Sequence, residues 1–173
     1  DCDNISSMAV DLKLVLDGLG LHKPHIVGHS FGGMIAQTYA ASYPDDLKSL
    51  TLVSTLEPSN FYEKNRDTVR KFFEVALRYE PHTLDTMIEV MCSFDFDASL
   101  ITAPTLIVVG ENDRPLFHKH AKRLEERLPN AALALITSAK HKPNIDNPNE
   151  FNTLLETFLA NYALVGESVR FES

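Results

Sequence analysis

Val27-Gly28-His29-Ser30-Phe31-Gly32-Gly33 is the stretch on which the fold turns. His25, Ile26 and Val27 ahead of it predict a buried strand, and a helical pattern runs from Gly32 to about Tyr43 after it. Between the two the chain must reverse sharply. Gly28 and Gly32 are expected to permit this, because a Cβ at either would collide with the adjoining strand or helix. Such a turn strains the backbone of Ser30, lifts its hydroxyl clear of the sheet and points unpaired helix N–H groups at the same spot. A Gly/Ser turn by itself is weak evidence, since small residues gather in turns by chance. The strand before it and the helix after it give this one weight.

Working outward, Ile5, Met8, Leu12, Val15, Leu16 and Leu19 recur at three- and four-residue spacing and predict an amphipathic helix over 5–18. Asn4 and Ser6 are its candidate caps, and Gly18 and Gly20 end it. Further strands are expected at 49–54, at 105–110 and at 132–136. The 105–110 run (Thr105-Leu106-Ile107-Val108-Val109-Gly110) is continuously apolar, as in a parallel strand covered on both faces. Helices are expected after it, through Phe117, Ala121, Leu124 and Leu128, and finally from about Pro148 to Tyr162. Strands alternating with helices, without hairpin signals, predict an α/β parallel sheet of about four strands with helices on both faces. Residues 55–100 lack a strand pattern and instead suggest two helices, one through Val69, Phe72, Phe73 and Ala76, the other through Leu84, Met87, Ile88 and Met91. The aromatics Phe61, Tyr62, Phe94 and Phe96 either line an apolar site there or pack the segment's own core.

The whole chain bounds the function classes. Its 173 residues suffice for one domain with a sizeable core. A net charge of −8 without a basic cluster argues against nucleic-acid and anionic-membrane partners. No apolar run reaches the length of a membrane span, and no basic-then-apolar leader pattern is present. Cys2 and Cys92 form no framework and no metal-ligand spacing, so a reduced, cytoplasmic protein without metal or organic cofactor is expected.

Gly28-His29-Ser30-Phe31-Gly32 resembles the nucleophile elbow of the α/β-hydrolase family. The resemblance extends through Ala103–Asp113, which looks like that family's acid-bearing strand and turn, and through His141 with Asn147-Pro148-Asn149-Glu150-Phe151, which looks like its histidine loop and closing helix. It spans residues 5 to about 162 apart from the insertion. The resemblance implies a hydrolase core over 1–55 and 101–163, a helical cap over 56–100 and a tail over 164–173. It implies Ser30 as nucleophile, His141 as base, Asp113 as orienting acid and the Phe31 backbone N–H in an oxyanion hole. The implied reaction is hydrolysis of a small-molecule carboxylic ester or thioester through an acyl-enzyme. Carbon–carbon cleavage and perhydrolysis use the same residues and stay open, as does a non-catalytic module. Glu57, after the second strand, is the rival acid. His22, His25, His29, His82, His118 and His120 compete as bases, but only His141 stands in the expected loop. Lys140 occupies the place of the family's usual Gly.

The family's first strands, with the loop that gives the second oxyanion donor, have no counterpart before residue 28. Strand 25–29 is therefore expected to be an open edge that pairs with a preceding segment or with a second copy.

Overall fold

The computed structural model describes residues 4–77 and 81–163. The tail 164–173 and Cys2 lie outside the described residues, as do the side chains of Phe72, Phe73, Ala76 and His82. Helix α1 (Ile5–Gly18) opens on Asn4, whose side-chain oxygen accepts from the Ser7 N–H while Ser7 answers the Asn4 N–H, so the second half of the cap is Ser7 rather than Ser6. Strand β1 (His25–His29), helix α2 (Phe31–Ser42) and strand β2 (Ser49–Val53) follow. Three helices then run in succession, α3 (Phe61–Lys64), α4 (Arg66–Leu77) and α5 (Pro81–Cys92), where two are expected from the sequence. A 3₁₀ turn at Ala98–Leu100 leads into β3 (Thr105–Gly110), α6 (Pro115–Arg127) and β4 (Ala131–Ile136). The chain closes with α7 (Pro143–Asp146), too short to show a period in sequence, and α8 (Pro148–Ala163).

All four strands are parallel and lie in the order β1-β2-β3-β4, with His25 opposite Ser49, Leu50 opposite Thr105 and Thr105 opposite Ala131. The alternation along β2 and β3 assigns their two faces. Leu50, Leu52, Ile107 and Val109 pack with α1, α2 and α6, whereas Val53, Leu106 and Val108 pack with Phe151 and Phe158 of α8. The buried residues of the 55–100 segment, including Tyr62, Val69, Leu84, Ile88 and Phe94, belong to the first of these clusters, so the segment shares the core of the sheet. It is clamped across its own surface by ion pairs of Arg66 with Glu89 and of Arg70 with Asp85.

Two sequence expectations change. Val27 is 47% exposed rather than buried, because β1 is an edge strand and among the described residues pairs only with β2. On α1 the buried stripe is Ile5 and Ala9, flanked by Met8, Leu12 and Leu16, while Val15 and Leu19 face out. Among the described residues no helix is long and apolar enough to cross a membrane, and no cluster of His, Cys, Asp or Glu is arranged to hold a metal.

Candidate active site

Ser30 sits between β1 and α2 with φ 51° and ψ −117°, a conformation that costs a non-glycine residue of order 1–3 kcal/mol and needs its surroundings to enforce it. The enforcement is visible. The Ser30 N–H donates to the Val53 carbonyl (2.8 Å), and its own carbonyl accepts from the Thr55 hydroxyl (2.7 Å) and the Gly33 N–H (3.0 Å). The glycines that allow α2 to come this close are Gly28 and Gly33. A Cβ on Gly28 would lie 2.6 Å from the Gly32 carbonyl oxygen, and one on Gly33 would lie 2.5 Å from Thr55 Oγ1. Gly32, expected from sequence to be the second crowded position, has open space where its Cβ would stand.

Asp113 leaves the end of β3, and His141 leaves the loop after β4. The His141 ring bridges the two other groups: Nε2 lies 3.1 Å from Ser30 Oγ, and Nδ1 lies 3.2 Å from Asp113 Oδ2. These three residues are 111 and 28 positions apart along the chain and meet because parallel strands deliver their following loops to one end of the sheet. Asp113 is 8% exposed. Burial alone would push its carboxyl up, but the hydrogen bonds from His141 and from the Arg114 N–H (2.8 Å) hold it below the ordinary carboxylate value. An ionised buried carboxylate beside Nδ1 fixes the imidazole with its proton on that nitrogen. Nε2 is then free to accept a proton from a hydroxyl.

The histidine loop is held from four sides. Phe117 of α6 lies against the His141 ring, with centroids 4.4 Å apart. His29 Nε2 donates to the His141 carbonyl (2.7 Å), which makes the residue just before Ser30 a positioning group. The Asn112 N–H donates to the Ala139 carbonyl (2.7 Å), and Glu111 Oε2 accepts from the Ser138 N–H (2.9 Å), so the exposed Glu111 braces the loop. Gly110 permits this stitching, since its Cβ would fall 2.1 Å from the Lys140 carbonyl oxygen. On the far side Glu150 and Asn147, at the start of α8, tie down Thr137. Phe31 is the first residue of α2, and no acceptor for its N–H lies among the described residues, which leaves that donor beside Ser30 Oγ free.

The rivals are elsewhere. Glu57 is 3% exposed and is held by Arg123 (2.8 Å) and Arg127 (3.3 Å) of α6, with His120 Nδ1 at 3.5 Å from its carboxylate. Burial alone would raise its carboxyl, but the neighbouring His120 ring and the two guanidiniums bring it down to about 2. His25 bonds Ser49 (2.7 Å), and His120 is buried on α6; neither touches Ser30. The four aromatics divide. Phe61 and Tyr62 line a cavity of about 210 Å³ with Leu56, Val69, Leu116 and His120, whereas Phe94 is fully buried between Tyr62 and Phe96. That His120 joins this cavity had no signal in the sequence beyond its place on the apolar side of α6.

A family model described as the alpha/beta hydrolase fold matches residues 2–81. The chain is 27% identical over 195 aligned residues to "Putative carbamate hydrolase RutD" of Stutzerimonas stutzeri, a match that covers 91% of this chain and 74% of that protein. It is 26% identical to the 2-hydroxy-6-oxononadienedioate/2-hydroxy-6-oxononatrienedioate hydrolase of Comamonas testosteroni, covering 88% of this chain and 68% of the relative. Among solved structures it superposes with a TM-score of 0.73 on MGS-M2, an alpha/beta hydrolase from a Medee basin deep-sea metagenome library. That similarity is at 23% identity and covers 100% of this chain and 76% of the other.

Proposed function

The chain is built on the α/β-hydrolase fold, and on that premise we propose that it is a serine hydrolase that cleaves a carboxylic ester or thioester through an acyl-enzyme on Ser30. The observation that carries this reading is the single imidazole of His141 within reach of both Ser30 Oγ (3.1 Å) and the buried Asp113 carboxylate (3.2 Å). His141 takes the hydroxyl proton as Ser30 Oγ bonds to the acyl carbon, and the Phe31 N–H donates to the developing oxyanion. The imidazolium then gives that proton to the departing alcohol or thiol, leaving the acyl group on Ser30. Water, deprotonated by the same imidazole, attacks the acyl-enzyme and releases the acid. Asp113 stays ionised throughout and stabilises the imidazolium.

In this reading residues 1–55 and 101–163 form the catalytic core and residues 56–100 form the cap, whose cavity beside Leu116 receives the apolar part of the substrate. A carbamate, the substrate in the name of the Stutzerimonas relative, offers the same electrophilic carbon to Ser30 and is the second reading. The open edge of β1 is read as the seat of a further strand, from a preceding segment or a second copy, that also brings a second oxyanion donor.

A fluorophosphonate probe tests the proposal directly. It is expected to label Ser30 in the native chain and to leave Ser30→Ala unlabelled, while hydrolysis of a short p-nitrophenyl ester disappears with Ser30→Ala and nearly so with His141→Ala. Failure to label the folded native chain would favour a non-catalytic module instead.

A further inference from the structure

Strand β2 is followed by two hydroxyl residues, Ser54 and Thr55, and both are buried. Thr55 already has a place in the site, because its hydroxyl holds the Ser30 carbonyl (2.7 Å). Ser54 has none. It is 1% exposed, and its buried Oγ closes no hydrogen bond among the described residues. A hydroxyl in that position has given up water without a full replacement, which native structures rarely keep without a use. The backbone is costly at the same residue. Ser54 stands at φ 45°, in the left-handed region that glycine occupies freely and serine does not. Strained conformations of this kind gather at functional sites.

The Ser54 N–H donates to the Val108 carbonyl (2.8 Å), which fixes the residue against β3, the strand whose following turn carries Asp113. The group beside the Ser54 hydroxyl is the Asp113 carboxyl. Burial alone would push that carboxyl up, but His141, the Arg114 N–H and the Ser54 hydroxyl hold it below the ordinary carboxylate value. Asp113 has acceptor capacity to spare. Its Oδ1 accepts from the Arg114 N–H (2.8 Å) and its Oδ2 faces His141 Nδ1 (3.2 Å), whereas an ionised carboxylate offers about four lone-pair sites. The His141 contact is itself long for a hydrogen bond to a charged acceptor, as is common before substrate tightens a catalytic chain.

We infer that Ser54 is a positioning residue of this site: its O–H donates to the Asp113 carboxylate as the chain tightens, and so keeps that carboxylate aimed at His141 while the imidazole takes the Ser30 proton. Ser54 touches neither substrate nor imidazole and acts only through Asp113. The inference deepens the acyl-enzyme reading and rests on it for any effect on turnover. The placement of the Ser54 hydroxyl against Asp113 stands apart from the chemistry at Ser30.

The test uses Ser54→Gly, because glycine takes a φ of 45° without strain and removes the hydroxyl while leaving the turn its shape. This variant is expected to unfold at or above the native temperature. Its kcat on a short p-nitrophenyl ester is expected to fall roughly tenfold with KM little changed, the effect of one hydrogen bond to a charged group. Ser54→Ala, with the hydroxyl gone and the strain kept, is expected to lose the same factor. Added to Asp113→Asn, which has no charge to receive the hydroxyl, Ser54→Gly is expected to cost nothing more. A ¹³C NMR titration of the Asp113 carboxyl needs no turnover, and its midpoint is expected to lie higher in Ser54→Gly than in the native protein. Native kcat in Ser54→Gly, a full further loss on top of Asp113→Asn, or an unmoved Asp113 titration each overturns the inference. Absence of fluorophosphonate labelling in the native chain would sink the acyl-enzyme reading alone, because the Asp113 titration is read without turnover.

Discussion

At the scale of single residues, the two buried carboxylates near β2 and β3 differ in what faces them. Asp113 faces an imidazole whose other nitrogen meets a strained serine, while Glu57 faces two guanidiniums and the buried His120 ring. Only the first arrangement sets an imidazole between a carboxylate and a serine hydroxyl. Asp113→Asn is therefore expected to lower esterase turnover by on the order of 10⁴, because an amide in place of the carboxylate stabilises the wrong histidine tautomer. Glu57→Gln should cost far less in turnover, and steady-state kinetics of the two variants on one p-nitrophenyl ester separates them. The Glu57 carboxyl lies below its unfolded value of 4.5, at about 2. Its contribution to stability is thus present above about pH 4.5 and is lost as the pH falls toward 2. Allowing for the partly exposed arginines, that contribution is on the order of 2 kcal/mol. Unfolding curves of native and Glu57→Gln protein should therefore lie apart at neutral pH and converge in acid.

At the scale of elements, the decisive contact is the approach of α2 to the loop after β2. Gly33 touches Thr55, and Thr55 holds the Ser30 carbonyl, so the helix, the loop and the strained serine are one unit. Gly33→Ala drives a methyl into the Thr55 side chain and is expected to destabilise the fold by about 1–3 kcal/mol. Gly32→Ala meets open space in the first turn of the same helix and should be neutral or stabilising by up to about 1 kcal/mol. Thermal unfolding of the pair measures the contrast. A second element-level dependency links β3 to the histidine loop: Gly110 lets the loop carbonyls lie against the strand end, and Glu111 and Asn112 then bind the loop directly. The turn that carries Asp113 thus serves as the floor on which the His141 loop rests.

At the scale of the whole molecule, the sheet is asymmetric. Among the described residues the strand leading into Ser30 is the edge, with Val27 exposed, and α1 beside α2 leaves Val10, Leu14, Val15 and Leu19 uncovered. Short apolar edges of this kind invite another strand. Backbone amides of β1 that point away from β2 report directly on whether one is there. Hydrogen exchange is expected to find them protected to nearly the level of β2 and β3 amides in the native protein. Exchange at the rate of an open edge would show that β1 carries no partner strand.

The sequence by itself determined the order and type of the main elements, because hydrophobic period and turn chemistry are local properties: the 5–18 helix, the apolar run 105–110, and the strand–turn–helix about Ser30 all stand where their residues predict. It also singled out Ser30, Asp113 and His141, since each follows a predicted strand and parallel strands bring such loops to one end. It did not disclose which glycine is crowded, that Glu111 and His29 brace the histidine loop, or that Glu57 is held by His120 and the two arginines of α6. Those depend on distances between segments remote along the chain, such as the 63 positions from Glu57 to His120. Such distances are set by how α2, α6 and the helices between β2 and β3 pack on the sheet, and packing is decided by the shapes of all the partners at once, which no single stretch of sequence contains.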